Sequence, residues 1–309
     1  MSTNGRQLHS AGRRSAGVAL VTVSAAAFGA MPIMAKLAYD AGAEPGSVLV
    51  TRFVVAGATM TAVMLLRGHQ WPRGRVLLAL IGMGGVGYVS QSLSYFTALT
   101  VASASLVALL LYLYPAIVTV LAAVVLRERL TAVTVIALLL TLGGSVLVIG
   151  PGGGRPLGVA LGVSAAVIYS IYILVGSRVT PRAGAIPSST VIILAAAGVY
   201  VALAAVRRPE FPHGPGATDG WLAMIGIALV STVVAIVTFF AGLARLGPAD
   251  ASTLSTLEPV VSVALAAVVL RESIGWLQLA GGALIIPAVI LLARRKPAVA
   301  RRDEPAPAG

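Results

Sequence analysis

ASTLSTLEPVVSVALAAVVLRE, residues 251–272, is the stretch on which the reading of this chain turns. It is long and apolar enough to cross a bilayer. It holds a carboxylate near its middle, Glu258, followed at once by Pro259. It also has a twin: 144 positions earlier, residues 110–128 read LLYLYPAIVTVLAAVVLRE. Pro115 and Pro259 coincide, and so does the run LAAVVLRE that starts at Leu121 and again at Leu265. A proline lacks the N–H that would bond the carbonyl four residues back, so Pro115 frees Leu111 and Pro259 frees Ser255. Interrupted membrane helices at matching places in two repeats point to a solute path built around the interruptions.

The rest of the chain fits a membrane protein. Of 309 residues, 58% are hydrophobic and 10% charged, with a mean hydropathy of +0.96; soluble domains carry about 25% charged residues. Cysteine is absent, which excludes a disulfide framework, a thiol nucleophile and a cysteine metal site. The net charge of +12 is spread through short loops and tails with no basic face, so nucleic acid is not an expected partner. Ten apolar runs are each about 18 residues or longer: 16–37, 46–66, 76–98, 101–126, 131–149, 157–177, 187–206, 220–243, 248–270 and 274–293. The expected fold is an all-α polytopic membrane protein of ten transmembrane helices, arranged as two inverted five-helix repeats. Its boundaries are 16–149 for repeat 1, 150–156 (GPGGGRP) for the linker and 157–293 for repeat 2, with cytoplasmic tails at 1–15 and 294–309.

Charge sets the expected orientation. With the N-terminus inside, sixteen Lys and Arg fall on inner segments and five on outer ones, the bias of a chain with both termini cytoplasmic. A five-helix repeat has an odd number of spans, so the second copy inserts upside down. Arg127-Glu128 then falls inside and its copy Arg271-Glu272 outside. GVAL at Gly17 recurs at Gly158, which places the sixth run opposite the first.

Chemistry-bearing residues are few within the runs. Pro32 in the first run frees the carbonyl of Phe28 and predicts a kink. Lys36, at the outer end, reads as a snorkelling side chain or a substrate contact. Arg52 reads either as a snorkelling or structurally paired arginine, with Asp40 and Glu44 as candidate partners, or as an anion contact at a cavity mouth. Gly82, Gly84 and Gly87 match a dinucleotide fingerprint, but no strand precedes them and no acid follows at the right distance. They are read as close-approach positions between helices. Tyr88, Gln91 and Tyr95 share one helix face behind them, and Tyr112 and Tyr114 lead into Pro115. Tyr169 and Tyr172 share a face in the sixth run. No histidine lies in a run, and the reading calls for no cofactor, no metal and no catalytic residue.

Glu258 is the carboxylate well inside a run, and burying it there costs about 2.5–3.5 kcal/mol on insertion scales. Ala251, Ser255, Glu258 and Ser262 form a small, polar stripe beside Pro259. Three roles stay open for Glu258: a hydrogen bond that fixes helix packing, a neutral substrate contact, or a protonation site coupling transport to a proton gradient. Its repeat mate is Tyr114, so the repeat itself does not demand the charge.

The pattern AS…LEP…LRE at 251–272, its partner at 104–128 and AAAFGAMPIMAK at 25–36 resemble the EamA domains of the drug/metabolite transporter superfamily. The resemblance implies a central cavity lined largely by helices 1, 3, 4, 6, 8 and 9, and efflux of amino acids or related small metabolites across a bacterial cytoplasmic membrane; importers also occur in that family. Two departures point to a different cavity lining: Phe28-Gly29 where the family often has Trp-Gly, and Tyr114-Pro115 where it often has Glu-Pro. Rival expectations are a flippase for lipid-linked substrates and a non-transporting membrane subunit. The absence of membrane histidines, cysteines and carboxylate pairs argues against an intramembrane enzyme.

Overall fold

The computed structural model describes residues 3–98, 101–102, 104–127, 130–149, 155–269, 271 and 274–294. Among these residues there are helices and no strands. Thr100, Ser103, Glu128, Arg129, Glu272, the glycines of the linker and the tail from residue 295 lie outside the described residues. Among the described residues, seven helical stretches are long and apolar enough to cross a membrane: Gly12–Asp40, Pro45–Leu66, Gly74–Tyr95, Pro156–Ala183, Ala185–Arg207, Ala217–Leu246 and Pro248–Val269. Three shorter apolar helices accompany them: Tyr114–Val125, Ala132–Leu147 and Trp276–Leu291. The outer surface is apolar, with Leu65, Leu78, Val86, Val124, Leu139, Leu222, Val268 and Leu279 all more than 60% exposed. Exposed apolar side chains of that size suit a lipid solvent.

Prolines and π turns divide these stretches. Helix α1 (Thr3–Gly29) gives way to α2 (Met31–Asp40) just before Pro32. The kink expected from Pro32 is present, and its backbone oxygens find partners across the fold. The Ser231 hydroxyl donates to the Ala27 carbonyl, and Ser262 Oγ donates to the Gly29 carbonyl at 2.8 Å. After α3 (Pro45–Leu66), α4 (Gly74–Gly82) and α5 (Val89–Ala98) are joined through a π turn at Met83–Tyr88. Next, α6 (Ala104–Leu111) and α7 (Tyr114–Val125) meet at the break before Pro115. Then come α8 (Ala132–Ile149), α9 (Pro156–Ala183) and α10 (Ala185–Arg207). The later helices repeat the earlier devices. A π turn at Leu229–Val234 joins α11 (Ala217–Ala228) to α12 (Ala235–Leu246). A 3-10 turn at Ser255–Leu257 joins α13 (Pro248–Leu254) to α14 (Glu258–Val269). Helix α15 (Trp276–Arg294) ends the described chain.

Packing follows a pattern of exchanged partners: α1 lies on α12 as α5 lies on α9, while α3 pairs with α10 and α8 with α15. Small residues set the closest approaches. A Cβ on Gly84 would collide with the Ile192 carbonyl of α10, and one on Gly144 would lie 2.7 Å from the Gly281 carbonyl of α15. The expectation that Gly82, Gly84 and Gly87 all serve close approach holds for Gly84. Gly82 faces open space and Gly87 makes an ordinary contact with Tyr172. Of the stretch set apart as a tail, the described part is helical from Thr3, and Arg14 forms an ion pair with Asp250.

Candidate functional site

A cavity of about 150 Å³ lies where the interrupted helices meet. Its wall combines Phe28, Met31 and Pro32 from the α1–α2 kink with Tyr88, Gln91, Ser92 and Tyr95 from the π turn and α5. Leu111, Tyr112 and Tyr114 come from the α6–α7 break, Tyr169 from α9, Arg52 from α3 and Glu258 from the start of α14. Pro32 is exposed, so the cavity reaches the surface beside α2.

The helix breaks put these side chains in one place. Leu111, freed by Pro115, is itself on the cavity wall. The matching break at Ser255–Leu257 turns the chain so that Glu258 opens α14 facing the cavity. Tyr114 and Tyr169 meet edge to face at 4.8 Å, and Tyr169 stacks on Tyr172 at 5.9 Å, which makes a largely aromatic wall.

Of the sequence-derived candidates, Tyr88, Gln91, Tyr95, Tyr112, Tyr114, Tyr169 and Glu258 come together on the lining. Four others sit behind it. Tyr172 is 5% exposed and packs on Tyr88 and Tyr169; Pro115 and Pro259 are buried in the two breaks. Ser255 Oγ donates to the Ala251 carbonyl of its own helix at 3.0 Å. The polar stripe of α13–α14 is therefore split: Glu258 faces the cavity, whereas Ser262 holds Gly29.

Arg52 is the residue whose setting the sequence left undecided. It is 4% exposed, yet neither Asp40 nor Glu44 pairs with it. Glu44 Oε2 instead accepts from the Glu210 backbone N–H at 3.2 Å. The Arg52 guanidinium donates through Nε to Thr232 Oγ1 and through Nη2 to Tyr88 Oη, both at 2.7 Å. It also lies 5.0 Å from the Phe53 ring centroid and 5.7 Å from that of Tyr88, within cation–π range. Tyr88 closes the first π turn and Thr232 lies within the second. A π turn rotates the following side chains relative to a regular helix, and here two such turns aim two hydroxyls at one cation. Sequence periodicity carries no signal for a π turn, so the Thr232 contact was not legible.

Glu258 forms no ion pair among the described residues. Its carboxylate is the hydrogen-bond partner of the Tyr112 hydroxyl and lies within electrostatic reach of Arg52, Tyr95, Tyr114 and Tyr169. The same sequence run holds a second acid in a different setting. Asp250 Oδ2 pairs with Arg14 Nη1 at 2.9 Å, and its Oδ1 accepts from Thr134 Oγ1 at 3.2 Å, tying α1, α8 and α13 together. No cluster of three or more metal-ligating side chains occurs among the described residues.

The EamA-like transporter family matches twice, over residues 15–150 and 156–294. The chain is similar to the protein named "Uncharacterized transporter YcbK" of Bacillus subtilis, at 24% identity over 86% of this chain and 89% of that one. It is also similar to the "Uncharacterized inner membrane transporter YedA" of Escherichia coli K12, at 26% identity over 78% and 79%. A solved structure titled "Crystal structure of protein" shares the fold, with a TM-score of 0.76 at 24% identity over 90% of this chain and 96% of that one.

Proposed function

The chain belongs to the EamA-like transporter family, and on that premise we propose that it moves small metabolites across a bacterial cytoplasmic membrane by alternating access, as an exporter of amino acids or related solutes. The observation that carries this reading is the cavity at the junction of paired helix breaks, walled by both family-matched stretches. In this reading the ten helical spans form two five-helix repeats, 16–149 and 157–293, inserted in opposite senses with both termini cytoplasmic. Exchanged packing partners support the repeats. So does a shared backbone feature: Arg127 and Arg271, copies of one another, both adopt φ 56°, a conformation uncommon for a residue with a side chain.

The cavity reaches the surface beside Pro32, while the opposite end is packed. About 20 Å of helix separates Phe28 from Arg14, and Arg14, Asp250 and Thr134 join three helices there. This arrangement suits one limiting state of an alternating cycle, open at the α2 end and closed at the Arg14 end. Glu258 is the proposed coupling group if a proton gradient drives the cycle.

The test is flux in proteoliposomes containing the purified chain, with a mixed amino-acid and metabolite panel, with and without a pH gradient. Movement of at least one solute above protein-free vesicles is expected. No movement of any member overturns the reading.

A further inference from the structure

Arg52 is over-provided for if its role is packing. A cation in a membrane interior is costly unless paired, yet no carboxylate pairs with Arg52 among the described residues. Its guanidinium has five N–H donors, and its protein bonds run through Nε and Nη2 alone. Nη1 bonds no described protein group, and it is not among the sealed polar atoms left without a partner. With Arg52 on the cavity wall, that end of the fork opens into the cavity. Thr232 and Tyr88 grip one edge of the plane and its central carbon lies over the ring of Phe53, so the remaining N–H groups are held in a fixed direction.

A fixed, half-used guanidinium edge in a cavity is a receptor for a planar oxyanion, because its remaining N–H groups match the two oxygens of a carboxylate. We infer that Arg52 receives the carboxylate of the transported solute and selects carboxylate-bearing solutes over their uncharged counterparts. This rests on the transporter reading above and narrows its substrate class. The charge count favours a carboxylate over a phosphate: Arg52 is the cationic side chain on this wall, and Glu258 also lines the cavity. A dianion would meet one positive charge and an adjacent acid. A solute that carries a positive group as well as its carboxylate complements both residues. Helix α10, which packs against α3, carries no Lys or Arg before Arg207, so the repeat does not account for this cation.

The experiment uses the full chain purified in detergent micelles, and reads the rise in melting temperature as each ligand is titrated. The probes are threonine and leucine, their N-acetyl derivatives, which keep the carboxylate and lose the charged amine, and their amides, which keep the amine and lose the carboxylate. For at least one probe set, the free amino acid is expected to bind best and the N-acetyl acid next. The amide is expected to need at least about tenfold more ligand, the cost of one charge-assisted contact. R52M is expected to erase the acid-over-amide preference, R52K to retain part of it through its charge, and Thr232→Val to retain most of it. Equal protection by acid and amide in the wild type overturns the inference. So does a preference that survives R52M, or no protection by any acid. Should R52M not purify, the wild-type ratio and R52K decide by the same criteria. Parallel flux measurements separate the two readings. Selective acid binding without movement of any solute sinks the transport reading and leaves Arg52 as a carboxylate-binding residue only, whereas equal movement of acids and amides keeps the transport reading and overturns the role given to Arg52.

Discussion

Asp250 and Glu258 stand on one helical stretch, two turns apart, in opposite surroundings. Asp250 is 5% exposed, paired with Arg14 and hydrogen-bonded by Thr134, so its carboxylate has partners on both oxygens. Glu258 follows the 3-10 turn, faces the cavity and has no ion-pair partner among the described residues; its side chain is hydrogen-bonded with Tyr112, itself on the cavity wall. An acid held by a cation and a hydroxyl can fasten helices together; an acid on a cavity wall with no cation paired to it can meet a solute or a proton. The break before Pro259 separates the two, because it ends the regular spiral that would otherwise fix their relative directions.

The comparison is broken most forcefully at Arg14. Arg14→Ala leaves Asp250 buried without its cation and is expected to cost about 3–5 kcal/mol, read as a large fall in melting temperature in micelles. The double variant with Asp250→Asn is expected to recover part of the loss; a single variant as stable as wild type removes the fastener role. Thr134→Val takes away the second partner of Asp250 at a smaller cost of about 1.5–3 kcal/mol, the range for hydrogen bonds to charged groups, and denaturant titration of the micellar protein measures it. Ser262→Ala releases the Gly29 carbonyl at the kink and is expected to cost about 1 kcal/mol. A loss equal to that of Arg14→Ala would mean the kink contact matters as much to stability as the ion pair at the far end of α1. Glu258→Gln should change stability least, since no ion pair is lost. Its expected effect appears in flux instead: gradient-stimulated movement in the wild type and none in the variant. Flux that responds to the gradient equally in both would return Glu258 to a neutral lining role.

The two halves teach a related lesson. Matching breaks at Pro115 and Pro259, matching π turns and the shared φ of Arg127 and Arg271 all follow the duplication. The charges at the cavity depart from it: Glu258 stands where the other half has Tyr114, and Arg52 is set against an uncharged stretch of α10. The duplication supplies the scaffold, and the departures from it put both charges on the cavity wall.

Hydropathy and the duplicated proline segments determined from sequence alone that this is a helical membrane protein of two related halves, because lipid admits only helices or closed barrels and proline has one backbone consequence. The same signals picked out seven of the side chains on the cavity wall. Which way Arg52 points, that its partners are Thr232 and Tyr88 rather than Asp40 or Glu44, and that Arg14 reaches Asp250 were decided only by the tertiary structure. The reason is geometric. A helical face can be read from a period of 3.6 residues, but π turns, kinks and 3-10 turns reset that period, and contacts such as Arg52 to Thr232 and Arg14 to Asp250 join helices far apart in the chain.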